Sequence, residues 1–205
     1  MPFFDELPPP PAPEAHVEYR SPPWTGPPET VVLATAALDV LLARTADWAA
    51  WLGGVAVAPT GFELTLTVLG RVAALEPQAM APRLDGAGEA SPRFGVGFAD
   101  GRKAVGGDRH LHERRLTGDA AKEIVLWPRG GSGGRRRWTQ SFWLWPLPPP
   151  GPLTFALSWP AEGIDEVLVE VDSGPIREAA GRAVELWPDD RPLPPVGGSG
   201  WTRYV

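Results

Sequence analysis

The chain has no cysteine among its 205 residues and only three histidines. The first absence excludes a disulfide framework, a thiolate metal site and a cysteine nucleophile. The second leaves too few imidazoles for a histidine-rich metal centre. Long apolar runs are missing too: Val31 to Ala43 is the longest, and Asp39 interrupts it, so no membrane span is expected. Met1 to Glu6 lack the basic start and apolar core of a signal peptide, which points to a cytoplasmic protein. There is no excess of positive charge. A net charge of −6 makes nucleic acid an unlikely partner.

What the chain has in plenty is proline (26), glycine (24) and tryptophan (10). Proline and glycine gather at the two ends and in loops, which leaves a globular middle. Residues 1–30 form a proline-rich N-terminal arm, with Pro8 to Pro11, Pro22-Pro23 and Pro27-Pro28. Such a segment forms neither a regular helix nor a central strand, and Phe3, Phe4 and Trp24 are its means of lying along a surface. Residues 188–205 form a second proline- and glycine-rich tail. Between them, 31–187 is long enough for one β-rich domain that needs no staple.

Period-two alternation marks the strands of that domain. Phe62, Leu64, Leu66 and Val68 face one way, against Glu63, Thr65 and Thr67. Phe94, Val96 and Phe98 repeat the pattern before Asp100-Gly101, a dipeptide that suits a two-residue type I′ hairpin turn. Leu153, Phe155, Leu157 and Trp159 alternate, as do Val167, Val169 and Val171. Trp48 to Val57 and Glu123 to Trp127 read as further strands, and Gly130 to Gly134 as a flexible connection. Thr30 to Arg44 fits strand or helix, and its β-branched start favours strand. Residues 76–92 and 106–122 read as loops. One helix is expected: Ile176, Ala179, Ala180, Ala183, Val184 and Trp187 follow helical spacing, with Asp172 or Ser173 as cap, Pro175 in the first turn and Pro188 as stop.

Candidate chemistry is thin. His110-Leu111-His112, near Asp108 and Glu113, has metal-like spacing, but His16 is the only other histidine and no metal site is expected. Arg135, Arg136 and Arg137 follow a glycine-rich stretch that lacks the lysine and hydroxyl of a phosphate loop. They offer at most a weak polyanion contact. Arg191-Pro192-Leu193-Pro194-Pro195 has the look of a polyproline ligand or a stiff tail. No serine stands in a nucleophile-elbow context and no acid pair has a catalytic spacing, so neither catalytic residues nor cofactors are expected.

The tryptophans carry most of the signal. Trp143-Leu144-Trp145 is apolar on both faces, which suits a central strand, while Trp159 and Trp187 fall on core stripes. Trp24, Trp48, Trp51, Trp138 and Trp201 are less constrained, and packing is the expectation for each; Trp24, Trp48, Trp51 and Trp138 are, with Arg135, Arg136 and Arg137, the candidate interaction residues.

Four segments carry a resemblance: Pro59-Thr60-Gly61-Phe62-Glu63, Phe98 to Ala104, Pro146 to Leu153 and Trp159 to Ile164. They resemble an uncharacterised family of actinobacterial proteins over residues 36 to 188. The resemblance implies a host and a compartment but no activity, cofactor or catalytic residue.

The expected architecture is all-β, mainly an antiparallel β-sandwich of seven to nine strands with one C-terminal α-helix. The expected function is that of a non-catalytic interaction or scaffold protein, acting through a protein partner or self-association. The alternatives are a carbohydrate- or small-ligand-binding sandwich, marked by coplanar exposed tryptophans beside carboxylates, and an enzyme, marked by a deep pocket with convergent ionisable groups.

Overall fold

Antiparallel strands account for nearly all of the regular structure. The computed structural model describes residues 22–71, 92–106 and 123–188. Residues 1–21, 72–91, 107–122 and 189–205, which take in most of the loops read at 76–92 and 106–122 (His110 and His112 among them), lie outside the described residues. Pro22–Leu186 form one compact unit. Its strands are β1 (Val31–Val32), β2 (Ala34–Ala36), β3 (Val40–Arg44), β4 (Trp48–Ala58), β5 (Gly61–Gly70) and β6 (Arg93–Gly97). There follow β7 (Lys103–Val105), β8 (Val125–Gly133), β9 (Arg137–Trp145), β10 (Pro152–Trp159) and β11 (Ile164–Asp172). A 3₁₀ turn (Pro160–Glu162) joins the last two, and helix α1 (Gly174–Ala180) and β12 (Val184–Glu185) complete the body. Among the described residues the twelve strands exceed the seven to nine expected, because Thr30 to Arg44 is broken into three and Val184–Glu185 is strand where helix was expected.

Two sheets form the sandwich. The larger runs β2-β4-β5-β9-β8, with β3 also on β4, and the smaller runs β11-β10-β6-β7. β1 and β12 make a separate two-stranded ladder. The inward sets are those the alternation predicts: Phe62, Leu64, Leu66 and Val68 face Phe94, Val96, Leu153, Phe155 and Leu157 in one buried cluster. Aromatic contacts tie the sheets together. Phe94 meets Phe142 at 5.2 Å between ring centroids, and Trp48 meets Trp159 at 4.9 Å.

A bulge explains the broken edge of the larger sheet. β4 carries an extra residue against β5 between Gly53 and Ala56, with Gly54 at φ +63°, a conformation that favours glycine. Below the bulge β4 pairs with β3, and above it with β2. A strand that bends there cannot hold one straight partner, so the neighbouring chain leaves the ladder between Ala36 and Val40.

Three local expectations are corrected. The glycine run Gly130 to Gly133 is strand, not loose connection, because the buried Gln140 amide donates to the carbonyls of Arg129 and Gly130 at 2.9 and 3.3 Å where the β8 ladder bulges. The Asp100-Gly101 hairpin closes with three residues, Ala99 to Gly101, and only Gly101 has positive φ (+88°), so the turn is not type I′. Helix α1 buries Ile176, Ala179 and Ala180 as expected but ends at Ala180. Beyond Gly181 the chain prefers sheet, with β-branched Val184 pairing with Val32. Trp187 therefore lies past the helix, 60% exposed rather than in the core. The N-cap residue Ser173 makes no side-chain cap bond, its Oγ donating instead to Pro149 O at 2.9 Å, while Asp172 Oδ1 accepts from Gly174 N at 3.1 Å.

Candidate functional site

The outer face of the smaller sheet is hollow along its middle. Apart from Arg93 at the start of β6, its two central strands, β6 and β10, turn only small side chains outward: Gly95 and Gly97 from one, Thr154, Ala156 and Ser158 from the other. The two edge strands turn out long ones. Register groups these residues into rows across the sheet. The first row runs Glu170, Thr154, Gly97, Lys103. The second runs Leu168, Ala156, Gly95, Val105. In the third, Ser158 pairs with Arg93, and Glu166 stands on the same edge, next to the Val167 that pairs with Leu157.

The rows make a trough of about 420 Å³ lined by these side chains. Its wall on β11 reads acid, apolar, acid. The opposite wall reads Lys103, Val105, with Arg93 beside it. The apolar members are unusually open for their type: Leu168 is 59% and Val105 43% exposed. Adjacent strands lie about 4.8 Å apart, so the edge strands stand about 14 Å from each other, wide enough for one further row of side chains. Packing does not force the hollow everywhere. A Cβ at Gly97 would meet nothing closer than 3.7 Å, ordinary contact, whereas at Gly95 it would come within 3.1 Å of the Ala104 carbonyl.

The outer face of the larger sheet is covered at one end. Residues 22–30, expected to be part of a separate arm, cross it: the Trp143 indole donates to Pro23 O at 3.0 Å, and Trp24 meets Trp145 edge-on at 6.0 Å. Arg129 donates to Thr25 O at 3.1 Å and fastens the same segment from β8. This strap explains how Trp143 is fully buried on the outward side of its strand. Beyond the strap the face carries hydroxyl pairs, Thr65 with Ser141 at 3.1 Å and Ser132 with Thr139 at 2.9 Å.

The structure scatters the candidate interaction residues. Trp138 is buried, 2% exposed, and Trp48 is half-buried on Trp159 with its indole donating to Glu162 Oε2 at 2.5 Å. Trp24 belongs to the strap. Trp51 is half-buried, with the Arg137 guanidinium 5.4 Å above its ring. The three arginines do not converge: Arg136 donates to Gly70 O at 3.2 Å, Arg137 stacks on Trp51, and Arg135 is exposed at the β8–β9 turn. Among the described residues no three histidine, aspartate or glutamate side chains gather as a metal site, and no helix is long and apolar enough to cross a membrane. Among the described residues, the Asp100 carboxyl departs from its ordinary range. The Arg102 side-chain hydrogen bond to Asp100 lowers that carboxyl's pKa, within a surface ion pair at 2.7 Å.

The trough residues were not among the candidates drawn from the sequence. Their signal was there, in the run of small residues at the outward positions of β6 and β10 other than Arg93, but such residues carry no chemistry of their own. No family model, curated protein or solved structure matches the chain.

Proposed function

We propose that this chain is a non-catalytic interaction protein of an actinobacterial cytoplasm, and that a partner docks in the trough of the smaller sheet. The observation that supports this reading is the hollow floor between two walls of opposite charge. A sheet face meant only for solvent gains nothing from glycine at Gly97, where a side chain would fit. Glycine also weakens a strand through its entropy in the unfolded chain. An open leucine and valine between charged neighbours give a partner apolar area to bury, while the charges fix its orientation.

Panning a displayed library of random peptides against the immobilised protein tests this. Enriched peptides are expected to lose binding to an Ala156→Phe variant, which fills the floor, and to keep binding a Trp51→Ala variant. No enrichment, or peptides indifferent to Ala156→Phe, would remove the trough from the function.

A second reading, small-ligand binding, is supported by the volume, since ligand sites commonly hold about 300–1,000 Å³. The sugar-binding form of that reading has less support: among the described residues Trp187 is the one exposed tryptophan, and those of Pro22–Leu186 are buried or half-buried.

A further inference from the structure

We propose that the partner is a second copy of this chain, and that each copy seats its β11 ridge in the trough of the other. The inference rests on the trough being a docking surface and names its occupant. The ridge formed by Glu166, Leu168 and Glu170 is complementary to the trough beside it. An acid, a leucine and an acid meet a floor of Ser158, Ala156 and Thr154 and a far wall of Val105 and Lys103, with Arg93 rising from β6 beside Ser158.

The order of these rows selects the symmetry. Homodimers are mostly two-fold, with the same patch used on both copies. A two-fold axis lying in the interface and parallel to the strands keeps each residue's height along the strand and reverses its order across the sheet. Acidic Glu170 of one copy then lies at the level of Lys103 of the other, Leu168 at the level of Val105, and Glu166 at the level of Arg93. Displaced by a quarter of the sheet's width, which shifts one copy over the other by half of it, the same axis places each ridge between the other copy's ridge and its basic wall. The rows across the interface become Lys103, Glu170, Glu170, Lys103 and Val105, Leu168, Leu168, Val105. Two charge-balanced rows flank an apolar one. An axis perpendicular to the strands sets acidic wall on acidic wall and forfeits every pairing.

Sedimentation velocity or light scattering of the full chain tests this through charge reversal. The parent is expected to be a dimer that weakens as salt rises. Lys103→Glu and Glu170→Lys should each raise the dimer dissociation constant at least about thirtyfold, as reversal of a close interfacial charge does. The double variant, Lys103→Glu with Glu170→Lys, should restore the dimer, because the two side chains meet only across the interface. Circular dichroism of each single variant checks that its fold is kept, and the rescue separates lost contact from lost fold. A parent that stays monomeric at every concentration, or a dimer indifferent to both single swaps and to Leu168→Asp, would overturn the second copy as occupant. A monomer whose trough still selects peptides sensitive to Ala156→Phe would leave the docking surface standing and remove only the self-association.

Discussion

Removing Trp24 tests the strap most directly. Trp24→Ala takes away the edge contact with Trp145 at 6.0 Å and opens the indole of Trp143 to water. A packed tryptophan buries about 150–250 Å², so half-buried Trp24 withholds about 100 Å² from solvent. At about 25 cal/mol per Å² that is worth about 2.5 kcal/mol. The aromatic pair adds about 0.5–1 kcal/mol beyond its area. A compact unfolded chain already hides part of this surface, which reduces the total to about 2 kcal/mol. For a chain of this length the loss corresponds to a fall in Tm of about 4–8 °C. Scanning calorimetry reads the fall, and acrylamide quenching of the nine remaining tryptophans reads the newly opened indole. An unchanged Tm with unchanged quenching would mean that the strap does not cover Trp143 in solution, and the account of that face would be wrong.

Gln140→Leu strips the carbonyls of Arg129 and Gly130 of their donor and should cost about 1–3 kcal/mol in urea unfolding, with faster amide exchange confined to the β8–β9 hairpin. The Asp100 carboxyl should titrate below the ordinary aspartate range by NMR and return to it in Arg102→Ala. Because its folded pKa is the lower one, its small stabilisation is present above the unfolded aspartate pKa and disappears as pH falls through the folded value.

Strands were legible because their cores obey a period of two, and each alternating run from Phe62 to Val68, Phe94 to Phe98 and Leu153 to Trp159 turned its apolar set inward. Helix α1 was legible for its first turns only. Ala183 and Val184 continue the helical spacing by coincidence, and a tertiary partner, Val32, claims Val184 for a ladder. Gly130 to Gly133 defeats local reading for the same reason: the side chain that makes it a strand, Gln140, lies on the next strand. The tryptophans misled differently. An indole reports large area but not which neighbour covers it, so Trp138 and Trp48 look like Trp51 until packing separates them. The trough escaped because its floor consists of side chains that are missing, and a search for reactive groups passes over them.

The loop between β9 and β10 has one property with a consequence for how the chain tolerates change. Arg177 and Ser173 of the α1 region donate to Pro148 O and Pro149 O, at 2.9 Å each, and Leu147 N donates to Thr60 O. Prolines have no N–H to offer, so the loop takes part chiefly through carbonyls that every residue type possesses. Pro148 is buried and Leu147 packs on the core, so freedom to vary lies with half-buried Pro149 and exposed Pro150, while the two donors across from the loop are fixed. Mutational tolerance should therefore be lopsided, permissive at Pro149 and strict at Ser173 and Arg177, although the proline looks like the more specialised half of the contact.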